Sequence, residues 1–364
     1  MTICDICKFF DIGGQFLSCT ELSTGNINST YHARYFRDGE RKDYIVQQIN
    51  TNVFTNPAKL MENIINVTHY IRSNIKKQHL STKKFVLRVF LAKDTKKPYI
   101  MDDKGNYWRV YRYIKDSVTY DTSDDMRIIE NAGQAFGRFQ NCLDGYDANS
   151  LYVTIPDFHN AEKRYDALHK AVQENIAGRL DSVKPEIEKL FELEEKATEL
   201  QRLLDSGKIP LRVTHNDTKF NNVAFDKNTG EALAVLDLDT VMPGAIAYDF
   251  GDAIRFITNK TIEDSPEVDL VGVDLDKYRA FSKGFLGEVG EKLTDMEKET
   301  LVLGVFTMTT TLAVRFMTDY LNGDVYFKVK RQGHNLDRAR NQLALAVDVL
   351  EKYEFLNEIT KEYL

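Results

Sequence analysis

Between residues 213 and 241 the chain reads VTHNDTKFNNVAFDKNTGEALAVLDLDTV, and no other stretch restricts the fold so tightly. Short apolar runs of strand character, PLRVT, NVAF and ALAVLDLD, flank a polar loop and the turn DKNTG. Among them stand Asp217, Asn221, Asn222, Asp237 and Asp239. A lone Asp or Asn in a loop is usually a turn or cap residue, and DKNTG is only that. Oxygen ligands gathered beside buried strands are costly unless they are hydrogen-bonded or hold a cation. The segment therefore predicts a strand, a polar loop and a hairpin whose carboxylate end faces a cleft.

The loop spells His215-x-Asp217-x-Lys219-x-x-Asn222, with an Asn five residues after an Asp, and Asp237 ends the hairpin that follows. Protein kinases space a catalytic Asp, an Asn and a metal-binding Asp in this order. In-line phosphoryl transfer needs a carboxylate to orient the attacking hydroxyl and accept its proton, which suits Asp217. It also needs magnesium, which keeps several waters and takes few protein oxygens. Asn222 and Asp237 suit that task, with Asp239 assisting. Lys219 reaches the transferring group as a point charge, and His215 braces the loop. Asp249-Phe250-Gly251 imitates a kinase D-F-G, but it lies beyond the strand end and opens a helix. Asp249 and Asp252 are expected to cap that helix or brace the loop.

Two lobes are expected, an α+β protein-kinase-like arrangement with residues 1–115 as the nucleotide-binding lobe and 116–364 as a helical lobe carrying the catalytic loop and acceptor site. Up to residue 115 the runs QFLSCTELS, TYHARYF, DYIVQQI, KFVLRVFLA, PYIMDD and YWRVYRYI read as an antiparallel sheet. One helix, about residues 57 to 75, interrupts them with Leu60, Ile64, Val67 and Ile71 on one face. Beyond residue 115 the helical runs include MRIIENAGQAFGRFQNCL, VKPEIEKLFELEEKATELQRLL, DMEKETLVLGVFTMTTTLAVRFMTDYL and DRARNQLALAVDVLEKYEFL. A net charge of −7 supplies no basic field for nucleic acid or anionic membrane. No apolar run is expected to span the roughly 20 residues a bilayer requires, and no leader pattern opens the chain. A cytoplasmic monomer or weak homo-oligomer acting on a small molecule is expected. Cys4 and Cys7 form C-x-x-C without a second pair and are read as packing residues.

The nucleotide grip departs from the protein-kinase pattern. STGNINST offers Gly25, and with it Asn28, as a hairpin over phosphates, without a full G-x-G-x-x-G. The third strand carries Gln47 and Gln48 where a protein kinase carries its lysine; Gln47 or Gln48 is expected as a polar contact to the nucleotide, and Glu62 on the helix lacks a partner. The adenine-binding hinge falls near Tyr113 and Ile114.

The segments TGNINSTY, YIVQQIN, GQAFGRFQN, IPLRVTHNDTKFNNV, LDLDTVMPG, DFGDAIRF, RFMTDYLNGDVYF and HNLDRARNQ resemble those of the N-acetylhexosamine 1-kinases, within the aminoglycoside phosphotransferase and choline kinase superfamily. The resemblance spans nearly the whole chain. It implies ATP- and magnesium-dependent phosphorylation of the anomeric hydroxyl of GlcNAc or GalNAc. It also draws Arg315, Tyr326 and Phe256, with Asn26, toward the sugar. Alternatives are the same architecture acting on an aminoglycoside, choline or methylthioribose, a non-catalytic nucleotide sensor, and a magnesium-dependent phosphate hydrolase. A strongly acidic acceptor pocket would favour the cationic alcohols.

Overall fold

The computed structural model describes residues 1–22, 27–79 and 81–364. Gly25 and Asn26 lie outside them. A short helix α1 (Ile3–Lys8), capped by a reciprocal Thr2–Asp5 box, precedes the sheet and was not anticipated from the alternating pattern. Strands β1 (Gln15–Leu22), β2 (Ser29–Arg37) and β3 (Glu40–Ile49) pair antiparallel in sequence order. The two-residue strands β4 (Val89–Phe90) and β5 (Ile100–Met101) both join β6 (Tyr107–Arg112), which pairs with β3. One face of this sheet, with Ala33, Tyr44, Val46, Trp108 and Val110, packs on Ile6, Cys7 and Phe10 around α1. Cys7 is thus a core residue, as expected. The other face meets helix α2 (Pro57–Lys77), where Leu60, Ile64, Val67 and Ile71 are all buried. KFVLRVFLA yields only the single turn α3 (Thr82–Phe85) and β4 instead of a long strand.

After β6 the chain crosses to the second lobe, and β7 (Ser117–Val118) already pairs with a strand of that lobe. Helices α4 (Met126–Cys142), α5 (Ala161–Glu174) and α6 (Lys184–Asp205) come before β8 (Arg212–Thr214). The hairpin β9 (Val223–Asp226) and β10 (Ala232–Val235) follows, then β11 (Met242–Gly244), which pairs with β8. Helices α7 (Ile246–Ile257), α8 (Leu275–Val289), α9 (Asp295–Glu299), α10 (Leu301–Leu321), α11 (His334–Glu351) and α12 (Tyr353–Lys361) complete the lobe. The expected single helix ending near residue 321 is broken at Thr300, which caps α9.

Helix α10 corrects one expectation. With 21 residues and a mean hydropathy of 1.5 it is long and apolar enough to cross a bilayer, yet 83% of that window is buried within the fold. It is the central core helix, apolar all round because it is surrounded by other helices. Gly251 and Gly304 let α7 and α10 touch backbone to backbone: a Cβ at Gly251 would fall 2.3 Å from the Gly304 carbonyl oxygen. The helix bearing Asp249 and Asp252 is thereby held against the helix bearing Arg315.

Candidate active site

Strand β8 delivers the catalytic loop into a frame of buried hydrogen bonds. Asp249 accepts the backbone N–H groups of His215 and Asn216, each at 2.8 Å, and the Gln140 amide at 2.6 Å. Asp252 accepts the Thr218 N–H at 2.8 Å and is itself held by Arg255. Both acids brace the loop. The capping alternative fails, because the N-cap of α7 is Ala245. His215 is fully buried between the edges of Phe136 and Phe139, bonding Leu236 O through Nε2 at 2.8 Å, while its Nδ1 accepts the Asp217 N–H at 3.2 Å.

Within this frame the Asp217 carboxylate stands 2.8 Å from Lys219 Nζ and about a quarter exposed (26%) to the cleft. Burial pushes its carboxyl up most, but the neighbouring positive groups, Lys219 foremost, together hold it below the ordinary range. The same contact raises the lysine. Asn222 donates its amide to Asp217 O at 2.8 Å and to Asp217 Oδ2 at 3.2 Å. Its Oδ1 is thereby left for a cation.

Asp237 follows β10 in the left-handed region, φ 52°, and its side chain is open to the cleft. The low-dielectric cleft walls first, then the Asp239 and Asp217 charges, push its carboxyl up to about 7. A carboxylate so crowded by negative charge favours a cation. Among the described residues no three His, Cys, Asp or Glu side chains form a preformed cage. Magnesium, which keeps waters and takes phosphate oxygens, needs only the Asn222 and Asp237 pair, so the residues present fit it.

Asp239 belongs to a different arrangement, correcting its expected role as a ligand. Its two oxygens take Nη1 and Nη2 of Arg109 at 2.5 and 2.8 Å, and Asn28 Nδ2 adds a bond of 2.7 Å. Arg109 Nε in turn bonds Gln47 Oε1 at 3.0 Å, and Gln47 Nε2 reaches Thr30 at 3.0 Å. Thr30, Gln47 and Arg109 are cross-strand partners on the cleft face. Gln48, one residue on, falls on the opposite face by strand alternation, so it does not line the cleft. Asn28 is committed to Asp239 and to the Asn50 N–H at 2.9 Å. Glu62 lies on the outer side of α2, where it lines a cavity of about 960 Å³ with Arg72 and Arg88. The residue that α2 presents to Arg109 is Met61, 3.7 Å away through its sulfur. At the hinge, the Tyr113 ring stacks on His32 at 4.5 Å and its N–H bonds Asp43 O, while Ile114 packs on the core beneath α2.

On the far side of Asp217, His159 bonds the Asn216 carbonyl at 2.9 Å, and the Phe158 ring lies beside it. The Arg315 guanidinium sits over Phe158, Tyr326 and Phe327 at 5.4, 6.0 and 5.4 Å. No carboxylate among the described residues lies within ion-pair distance of it. Burial holds Arg315 below the ordinary arginine range. Buried Asp319 fixes the loop that supplies two of these rings, accepting the N–H groups of Val325, Tyr326 and Phe327 at 2.8 to 2.9 Å. Phe256 is half-buried against the main core on α7.

A model of the phosphotransferase enzyme family, APH, matches residues 18–280, which include all but the first residues of the sheet, the 215–222 loop and Asp237. The chain belongs to that family. Among solved structures, choline kinase from Cryptosporidium parvum Iowa II superposes with a TM-score of 0.58 at 14% identity, covering 100% of this chain and 97% of that one. Spectinomycin phosphotransferase, in complex with ADP and spectinomycin, gives 0.55 at 12% identity, covering 97% of each chain. Plasmodium vivax ethanolamine kinase gives 0.52 at 13%, covering 90% of this chain and 82% of that one. At these identities the likeness is one of fold, and it matches the two-lobed kinase-like architecture expected from the sequence.

In this phosphotransferase, Arg315 and Tyr326 lie beyond the matched residues. Arg109, Phe158, His159 and Phe327 escaped the sequence reading altogether. For Arg109 a signal existed: Tyr107, Arg109 and Tyr111 alternate on one face of YWRVYR, placing a charge where an apolar residue was due. PDFHNAEKRY gives no comparable sign for Phe158 and His159.

Proposed function

We propose that this phosphotransferase moves the terminal phosphoryl group of ATP to the anomeric hydroxyl of an N-acetylhexosamine, giving the sugar 1-phosphate. The observation that carries this reading is the acceptor side of the cleft. Choline, ethanolamine and aminoglycosides are cations, which call for carboxylates or a cage of free aromatic faces. Here the Arg315 guanidinium, with no carboxylate within ion-pair distance among the described residues, already sits over the rings of Phe158, Tyr326 and Phe327. Hydroxyl and acetamido oxygens accept hydrogen bonds from such a group, and aromatic rings suit the apolar faces of a sugar. The motifs shared with the hexosamine kinases support the same substrate.

In the reaction the anomeric oxygen attacks the terminal phosphorus in line, the bond to the bridging oxygen breaks, ADP leaves, and Asp217 takes the hydroxyl proton. Asp249 and Asp252 keep the Asp217 backbone from shifting, and Lys219 lies where charge moves between base and phosphoryl group. Magnesium held by Asn222 and Asp237 would supply neutralisation of the phosphate charge.

Incubation with ATP, magnesium and a panel of GlcNAc, GalNAc, glucose, choline, ethanolamine and an aminoglycoside, read by phosphorus and proton NMR, tests the reading. The expected product is an acid-labile hexosamine 1-phosphate that has lost its reducing end. A product phosphorylated at O6 and still reducing, or a preference for a cationic alcohol, would overturn it.

A further inference from the structure

The third strand carries Gln47 where a protein kinase carries its lysine, and among the described residues the buried guanidinium that bridges the two lobes at the cleft floor, that of Arg109, is on the neighbouring strand. Arg109 is 1% exposed and Asp239 4% by side chain, so this ion pair is almost wholly removed from water. All three guanidinium nitrogens are engaged, by Asp239 and Gln47. With the Nη1 contact to Met61 Sδ, four of its five N–H groups have protein partners, and at 1% exposure the guanidinium is closed to a phosphate in the cleft. Its effect must pass through Asp239.

The segment around Asp239 shows what that effect is. Leu236 is fixed at one end, its N–H on Asn222 O at 2.8 Å and its O on His215. Thr240 is fixed at the other, its hydroxyl on His215 O at 2.7 Å and its O on the Asn216 amide at 2.9 Å. Between these anchors Asp237 occupies the left-handed region, which costs a non-glycine residue strain even though Asp tolerates it better than most. Leu238, also between the anchors, is packed in the core, and Arg109 pulls on Asp239, two residues from Asp237. Asn28, immediately before β2, grips the same carboxylate.

We propose that Arg109 and Asp239 form an interlobe strap that holds Asp237 in its cation-facing conformation and so sets the affinity of the cleft for a divalent cation–nucleotide complex. Both are positioning residues. They take over the part that a strand lysine would play, with the cation moved one strand across and its anion placed on the metal loop instead of on α2. The inference rests on the phosphate and cation assignment of the cleft. It does not depend on which alcohol accepts the phosphoryl group.

Binding of manganese–ADP, measured by calorimetry without acceptor, together with thermal unfolding, tests it. Arg109→Met and Asp239→Asn each leave a buried group without its partner and should lower both the melting temperature and the manganese–ADP affinity. The double variant Arg109→Met/Asp239→Leu replaces the pair by apolar groups and should recover much of the melting temperature lost in the single variants. Its manganese–ADP affinity should stay at least about tenfold weaker than that of the parent, a figure typical of lost outer-shell support. Arg109→Lys keeps the charge but not the forked contact, and should fold normally while binding manganese–ADP more weakly. Parent-like affinity in the double variant or in Arg109→Lys would overturn the strap. Failure of the parent to bind manganese–ADP would instead remove the cleft assignment on which it rests.

Discussion

Replacing Asp249 by Asn should disable the protein through the loop it braces, although Asp249 does not face the cleft. The carboxylate accepts three donors: Asn216 N–H on Oδ1, and His215 N–H and the Gln140 amide on Oδ2. An Asn side chain has one acceptor oxygen. Set at the Oδ2 position, it keeps two bonds and turns its own NH₂ toward the Asn216 N–H, donor against donor at a spacing of 2.8 Å. One charge-assisted bond is lost, about 1.5–3 kcal/mol, and a buried N–H is left unpaired, about 1–3 kcal/mol. A total near 4 kcal/mol should lower the melting temperature by roughly 5 °C, given about 2 cal/mol/K of unfolding entropy per residue. Turnover should fall further than stability implies. Asn216 immediately precedes the base, and a misplacement of about 1 Å costs on the order of 10²-fold. Thermal unfolding and a coupled ADP-release assay at saturating substrates measure the two effects. A variant melting within a degree of the parent and turning over within twofold of it would refute this account of the loop.

Asp217→Asn should lose at least about 10²-fold in kcat with little change in ADP affinity, the usual scale for a positioned base; near-parental turnover would take Asp217 out of the mechanism. Arg315→Ala should raise the acceptor KM while leaving ATP affinity near normal, and equal effects on both substrates would argue for misfolding instead. His159 is held down to about 4 by burial, whereas the unfolded side chain titrates near 6.5. Protonation therefore favours the unfolded chain: this stability is complete above about pH 6.5 and is lost as pH falls toward 4, at most about 3 kcal/mol. Denaturation midpoints at pH 7 and pH 5 should draw together in His159→Gln; an unchanged pH dependence would contradict the assignment.

The catalytic loop was legible because its chemistry is local. Asp217, Lys219 and Asn222 lie within one loop, and Asp237 follows after a single hairpin, so spacing alone placed them together. The helical stripe of α2 was legible for a similar reason, since its face repeats within one element. Charges satisfied at a distance were not legible. Asp239 looked like a ligand because it stands beside Asp237, the expected one, and only the fold brings it Arg109 from 130 residues away. Gln47 and Gln48 were inseparable in sequence, yet the two-residue period of a strand sends them to opposite faces. Among the elements, α1, α5 and α8 were missed. KFVLRVFLA, bounded by lysines and Pro98, was read as one strand although β6 needs only two residues of it as an edge.

The resting charge of the base bears on the kind of hydroxyl that can react. Lys219 lies 2.8 Å from Asp217 and stabilises its ionised form, which makes Asp217 always available but weakly basic. In a loose transition state the nucleophile's proton departs late, so orientation by a weak base suffices for the approach. The proton must still be accepted before the product separates, and that transfer is easier the more acidic the hydroxyl. An anomeric hydroxyl, polarised by the ring oxygen, is more acidic than the simple alcohol of choline or ethanolamine. On the function proposed above, Lys219 would impose a preference for the more acidic hydroxyl, separate from any selection by Arg315. The two are separable by experiment, because on the proposed function a change at Arg315 should alter which molecules bind, whereas a change at Lys219 should alter which bound hydroxyls react.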